Sequence, residues 1–207
     1  ICGNGAQLFD LQNQKVIEEW LIPVDAQIET VKRLRKVIPQ ISFASEAHNY
    51  FHREKKYVPR WDVGLDNIGV DDILEIMTSP SLKLLARCSD QELTSDEMLA
   101  IATKELAGLV TVTHSNPHDS LLEISAIGVS KGATLSKMAE RLGITSEDCV
   151  SFGDNPNDIS MLEWCGRSYA MADGHPDAHK AAKSIAEPHT DDGVAMIIEE
   201  LLKLPPR

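Results

Sequence analysis

The sequence predicts an α/β protein, a Rossmann-like parallel-sheet core carrying an inserted α+β domain. Three observations predict it. From residue 121 onward, short apolar runs alternate with helical stretches, the pattern of βαβ units in a sheet covered on both faces. Residues 24–113 mix strand and helix patterns without that alternation, and Asn116-Pro117 breaks the chain between the two styles. The core is therefore expected at residues 1–22 and 118–207, with the inserted domain at 23–117.

Taken in order, the chain opens on Ile1-Cys2-Gly3-Asn4-Gly5, which reads as the end of a strand running into a turn. Residues 24–37 form an amphipathic helix, with Ile28, Val31, Leu34 and Val37 on one face. Strands are expected at 41–44 and 81–86, and the polar, aromatic-flecked stretch 46–67 between them takes no assignment. A helix at 94–106 and a strand at 109–113 complete the inserted domain. Beyond the break come a β-branched strand at 121–127 and a helix at 131–142, which stops at Gly143. A compact apolar strand at 149–152 runs into Gly153-Asp154. The last elements are a short helix at 157–164, a strand at 168–171, a helix at 176–183, a strand at 184–186 and a helix at 192–202.

Composition narrows the function. A length of 207 residues and a hydrophobic share of 43% suit a soluble globular chain with a substantial core. No apolar run is long enough to span a bilayer, so no membrane partner is expected. A net charge of −12 argues against nucleic acid as the main partner, yet leaves room for a small phosphorylated ligand beside a divalent cation. Cys2, Cys88, Cys149 and Cys165 are scattered with no C-x-x-C pair, which points to a reducing, cytoplasmic setting and away from a thiolate zinc site.

Two motifs carry chemistry. In an open parallel sheet, ligands bind beyond the carboxyl ends of the strands. Gly153-Asp154-Asn155-Pro156-Asn157-Asp158 offers two carboxylates at such a point, hard oxygen donors that suit Mg2+. The same residues also suit a bare turn followed by a helix-opening acid. Upstream, Ser130-Lys131-Gly132 sets a lysine at a helix N-terminus, a place that attracts phosphate. A lone lysine there equally suits a solvated surface; the order of lysine, strand and Gly-Asp-x-x-x-Asp joins the two motifs into one site.

Leu122-Glu123-Ile124, Gly128-Val129-Ser130-Lys131-Gly132 and Gly153 through Leu162 together resemble the Cof-type (class IIB) branch of the haloacid dehalogenase (HAD) superfamily. Ala170-Met171 and Asp192-Gly193-Val194 continue the likeness, and Asn4-Gly5-Ala6 resembles the tripeptide that precedes the cap in that branch. The resemblance implies a Mg2+-dependent phosphatase acting on small phosphorylated metabolites, such as sugar phosphates, through an aspartyl phosphate. It implies that Lys131 and Asn157 bind the phosphoryl group, that Asp154 holds the metal with Asp158 in support, and that the inserted domain is a substrate-selecting cap.

Two departures stand out. Ala172-Asp173-Gly174 replaces the usual Gly-Asn-Ala, and no Asp-x-Asp occurs anywhere in the sequence, so the family's nucleophile motif is missing. With Ile1 reading as mid-strand, the expectation is a chain that lacks an N-terminal segment bearing the nucleophile and the first core strands. Such a chain is inactive alone. A phosphomutase of the same superfamily and a non-catalytic phosphate-binding protein are the competing readings.

Other signals carry less. Arg53, Lys56 and Arg60, flanked by Tyr57 and Trp61, could line the substrate side of the cap or form a solvated loop. The histidine pairs His48/His52, His114/His118 and His175/His179 have zinc-like spacing but lack an accompanying acidic helix motif. Gly3-Asn4-Gly5 is no nucleotide loop, and Trp20 and Trp164 read as core or boundary residues.

Overall fold

The computed structural model describes residues 1–47, 50–64, 66–88 and 92–203, in two compact units, Ile1–Ser130 and Lys131–Arg207. Among the described residues no helix is long and apolar enough to cross a membrane. The α/β class expected from the sequence is what the structure shows.

The first unit opens with an antiparallel hairpin, β1 (Gln7–Asp10) and β2 (Lys15–Glu19). Asp10 shapes its turn by accepting hydrogen bonds from the amides of Gln12 and Asn13 at 2.9 and 3.0 Å. Helix α1 (Val24–Val37) follows Pro23 and contributes Val31 and Leu34 to the core. Its buried face is rotated from the expected one. Ala26, Gln27 and Thr30 are buried, whereas Val37 is 40% exposed. Gln27 tolerates this because its side-chain amide donates to the carbonyls of Ile22 and Ser79.

Five strands then form an antiparallel sheet. They are β3 (Ser42–Ala47), β4 (Tyr50–Arg53), β5 (Lys83–Arg87), β6 (Val110–Thr113) and β7 (Leu121–Ala126), in the order β4-β3-β5-β7-β6. Strand alternation sorts the faces. Phe43, Leu84, Ala86, Leu122 and Ile124 join α1 and α2 (Ser95–Glu105) in one core. Ala44, Leu85 and Leu121 pack under Tyr57 on the other face. Helix α2 starts at a capping box between Thr94 and Glu97, as its Thr-x-x-Glu spacing dictates.

The expected boundary at 117/118 does not coincide with the division between units. Strand β7 was expected in the parallel core, and it pairs antiparallel with both β5 and β6. An apolar strand flanked on both sides looks the same in either sheet type, so its composition could not distinguish them. Residues 1–22 likewise fall in the first unit, where Ile22 bridges to Ser81.

The second unit is a βαβ array. Helix α3 (Lys131–Leu142) leads to β8 (Val150–Gly153), then α4 (Ile159–Trp164), β9 (Arg167–Met171), α5 (Pro176–Ala181), β10 (Ser184–Ala186) and α6 (Gly193–Leu202). The three strands are parallel in the order β10-β9-β8, and Leu162, Ala170 and Ala178 fill the space between sheet and helices.

Candidate active site

The carboxyl end of β8 carries the site, within the second unit. The chain leaves the strand at Gly153, turns through Asp154 and Asn155, and enters a short 3-10 turn, Pro156–Asp158, that leads into α4. Asp158 closes this loop. One of its oxygens, Oδ2, accepts from the backbone amides of Asp154 and Asn155 at 3.0 and 3.2 Å. The other, Oδ1, accepts from Lys131 Nζ at 2.5 Å. Asp158 is buried to 4% exposure, so this is a charge-assisted cluster in a low-dielectric setting.

Two glycines make the cluster possible. A Cβ on Gly153 would stand 2.5 Å from the Cβ of Asp158, so only glycine lets Asp158 fold over the strand end. A Cβ on Gly132 would stand 2.2 Å from the carbonyl oxygen of Ser160. The missing side chain allows the start of α3 to lie against α4, a contact sealed by the Gly132 amide donating to Ser160 Oγ at 3.0 Å. That approach brings Lys131, the first residue of α3, to Asp158.

Asp154 is the acid that remains presented to solvent. Desolvation in the crowded loop, then the negative charge of Asp158, push its pKa up; Lys131 opposes this, and Asp173 adds to it. Asn155 donates to Asp154 Oδ2 at 2.7 Å and steadies the carboxylate. Lys131 keeps its ammonium partly open, at 30% side-chain exposure, and so is available to an anion.

The structure thus brings together three of the residues singled out from the sequence, Lys131, Asp154 and Asp158, and places Asn157 in the same 3-10 turn. The cap candidates lie in the first unit. There Arg53 donates to the carbonyls of Glu54, Tyr57 and Asn67, pinning a loop. Arg60 pairs with Asp119 at 2.5 Å, and Lys56 is exposed. Of the histidine pairs, His175 caps α5 by accepting from the Asp177 amide, while His179 contacts the carbonyl of Met171. His114 is buried against Asp96, and His48 lies outside the described residues. Sequence reasoning missed the partnership of Asp173 with His189, whose backbone amide and ring nitrogen both reach the Asp173 carboxylate. The only signal was that Asp173 stands in an unusual place in an otherwise familiar motif.

The family model described as haloacid dehalogenase-like hydrolase matches residues 1–198. The chain is 36% identical over 87 residues, 42% of its length, to the 5-amino-6-(5-phospho-D-ribitylamino)uracil phosphatase YcsE of Bacillus subtilis. It is 35% identical over 80 residues, 39% of its length, to the phosphoglycolate phosphatase of Methanothrix thermoacetophila. These matches span only 34% and 36% of the two proteins' own lengths. Among solved structures, SMU.1108c from Streptococcus mutans is similar at a TM-score of 0.77 and 22% identity, covering 97% of this chain and 75% of that one. The HAD subclass IIB sugar phosphatase BT4131 is similar at 0.73 and 19% identity, covering 96% and 73%.

Proposed function

The chain belongs to the haloacid dehalogenase-like hydrolases, and from that premise we propose that it carries the phosphate- and cation-holding part of a magnesium-dependent phosphatase. The proposed substrates are phosphate monoesters of small soluble metabolites, with sugar phosphates as the class in view. The observation that carries the reading is the hub at Asp158, which fixes a lysine and an open carboxylate loop at one strand end.

The donor set suits magnesium. Asp154 supplies a hard oxygen whose charged form is disfavoured first by desolvation in the loop and then by the charge of Asp158, a condition that a divalent cation relieves. When bound, the cation would shield the phosphoryl oxygens from the site's carboxylates. Asp154 would hold the cation. Lys131, oriented by Asp158, would bind a phosphoryl oxygen and offset the charge that develops as the ester bond breaks. Asn157, in the same turn, is assigned to the phosphate as well. The aspartate pair that would form and resolve an aspartyl phosphate is not among these 207 residues. The reading assigns that step to residues outside them and expects no turnover from the 207 residues alone. The antiparallel-sheet unit is read as the cap that selects the substrate. None of Cys2, Cys88, Cys149 and Cys165 is joined in a disulfide, which supports the proposed cytoplasmic setting.

The absence of Asp-x-Asp favours one second reading, phosphate-ligand binding without turnover. Phosphate release from a panel of sugar phosphates, measured on the full-length polypeptide, separates the two. Asp154→Asn and Lys131→Ala should each lower kcat by about a hundredfold or more while the circular dichroism stays unchanged. Wild-type kcat in either variant would sink the phosphatase reading; binding with no turnover in the parent would establish the second one.

A further inference from the structure

Both helices of the first unit join one face of the five-stranded sheet in a single core. The opposite face carries polar groups that are short of partners. Strand alternation places Glu46, Lys83 and Glu123 there, with Phe51 of β4 opposite Glu46 and Glu46 opposite Lys83. Opposite charges facing each other across adjacent strands attract and can close into an ion pair. Among the described residues, none forms between Glu46 and Lys83. Lys83, although buried, makes one side-chain hydrogen bond, at 3.3 Å to Glu123 Oε1. Glu123 has both oxygens engaged, since Ser115 reaches Oε1 as well and Asn4 Nδ2 donates to Oε2 at 2.5 Å. The Glu46 carboxylate accepts no hydrogen bond from the described residues. Burial pushes its pKa up, Lys83 opposes this, and Glu123 adds to it.

A second observation points the same way. Tyr57 covers the middle of this face, packed on Ala44, Leu85 and Leu121, and Arg87 lies over its ring at 5.5 Å from the centroid. The two residues are 0% and 6% exposed. Yet among the described residues Tyr57 Oη, Arg87 Nε and Arg87 Nη2 have no hydrogen-bond partner. Burial pushes the pKa of the Tyr57 hydroxyl up, Arg87 opposes this, and the charges of Glu46 and Glu123 add to it, which places the hydroxyl in the same cluster. A buried donor left unpaired is costly, and marks a place where a ligand can supply the partner. Beside the cluster, Phe51 packs edge-on against Tyr57 and Trp61, with ring centroids 6.1 and 5.3 Å away, and Trp61 is half exposed.

The charges of Glu46, Glu123, Lys83 and Arg87 balance, so the cluster offers an ionised group no net attraction. It does set donors and acceptors side by side, next to aromatic surface. A sugar or sugar alcohol matches that chemistry, because each hydroxyl both donates and accepts while its C–H surface packs on rings. We infer that this face binds the uncharged polyol part of a phosphorylated substrate, with Glu46, Lys83 and the Tyr57 hydroxyl reading its hydroxyl groups and Phe51 and Trp61 meeting its C–H surface. Glu123 is a positioning residue that holds Lys83. The inference rests on the reading of the antiparallel-sheet unit as a substrate-selecting cap, and narrows it: polyol phosphates are accepted, and phosphorylated acids such as phosphoglycolate are disfavoured, because their carboxylate meets Glu46 with nothing to donate.

The test measures kcat/KM of the full-length polypeptide for glucose 6-phosphate, ribose 5-phosphate, sorbitol 6-phosphate, phosphoglycolate and methyl phosphate. The best polyol phosphate should exceed both phosphoglycolate and methyl phosphate by at least about tenfold, since a site built to bond hydroxyls rejects ligands that lack them. Glu46→Gln and Lys83→Met should each lower the ratio of that polyol phosphate to methyl phosphate by about tenfold, and Tyr57→Phe by about threefold. Glu123→Gln should raise KM for the polyol phosphate more than it lowers kcat. Lys55→Ala, which removes an exposed lysine paired with Asp71 in the same unit, should leave the ratio within about twofold. A parent that favours phosphoglycolate or methyl phosphate would overturn the inference, as would folded Glu46→Gln and Lys83→Met variants that keep the parent's ratio. Asp154→Asn separates this from the wider reading, because it should suppress turnover of every ester alike; full turnover there defeats the phosphatase reading and not the hydroxyl site. If the parent turns over none of these esters, the phosphatase reading fails by itself, and calorimetric titration with the same three polyol phosphates decides the inference. Binding that Glu46→Gln and Lys83→Met weaken by about tenfold supports it; binding they leave unchanged, or no binding by the parent, overturns it.

Discussion

Glu54 in the first unit and Asp154 in the second are both carboxylates crowded by protein, and their surroundings differ in sign. Glu54 is met by attraction on every side. Its carboxylate accepts from the Phe43 and Ile73 amides at 2.9 and 3.1 Å and pairs with Arg35, whose guanidinium also bonds Asp72. Asp154 is desolvated by its loop and met by two like charges, Asp158 and Asp173, while Lys131, which opposes them, is already engaged with Asp158. The first arrangement ties β3, α1 and the 3-10 turn at Ile73–Glu75 into one structure. The second leaves charge uncompensated at an open loop, an arrangement that a protein tolerates where a ligand completes it. A buried carboxylate that is fully partnered therefore speaks of stability, and an open one crowded by like charges speaks of binding.

The largest expected effect lies on the stability side. Glu54→Ala should destabilise the protein by about 3–5 kcal/mol, because it leaves two buried amides without their acceptor and takes from Arg35 one of its two carboxylate partners. Asp154→Asn should cause no comparable loss. Urea denaturation of the two variants measures the difference directly. Similar destabilisation from both would break the distinction between a structural and a functional carboxylate.

A smaller effect tests how the second cluster is assembled. Gly132→Ala would force α3 and α4 apart, since the nearest atoms to the new methyl belong to the Ser160 backbone and cannot swing away. Overpacking of this kind costs about 1–3 kcal/mol. It should also lower activity or phosphate affinity, by drawing Lys131 away from Asp158. A variant that loses stability but keeps full affinity would show that Lys131 reaches its place without the helix contact.

Some of this was legible in the sequence, for local reasons. Helices α1 and α3 and strand β10 fall at the expected limits, because apolar period, capping and glycine stops act within a few residues. Lys131 and Gly153 through Asp158 were readable for the same reason: each motif is continuous. What depends on distant partners was not. Strand β4 lies in the stretch left unassigned, and its neighbourhood is held by Arg53 reaching Asn67 and Glu54 reaching Arg35. The placement of β7 turns on which strands flank it. The pairing of Asp173 with His189 joins two loops sixteen residues apart, and no spacing rule announces it. Arg53 was read as either a substrate-side residue or part of a solvated loop, and its Nη donors reach loop carbonyls that no sequence pattern marks.

The smallest effect is the sharpest test of the contrast, because it reverses sign with the cluster. In the first unit Asp72, hydrogen-bonded to Arg35, has its pKa lowered; desolvation works against this, and the Leu74 amide adds to it. A depressed carboxylate stabilises the fold above the ordinary value of 3.8, and that contribution disappears as pH falls through the folded-state value. In the second unit the pKa of Asp154 is raised, so the fold prefers it protonated. Its ionisation detracts from stability as pH rises above 3.8, and the deficit is complete once the folded-state value is passed. Without added divalent cation, Asp154→Asn should therefore melt slightly higher than the parent at pH 7 and at the same temperature near pH 3. Asp72→Asn should melt lower at pH 7, with its deficit shrinking toward pH 3. Both groups are open to solvent, so both shifts are small and should narrow in high salt. Added Mg2+ should reverse the order at Asp154 alone, since the parent then gains a ligand that the asparagine variant binds poorly. Parallel pH curves for the two variants would mean that the clusters are electrostatically alike, and the contrast between them would fall.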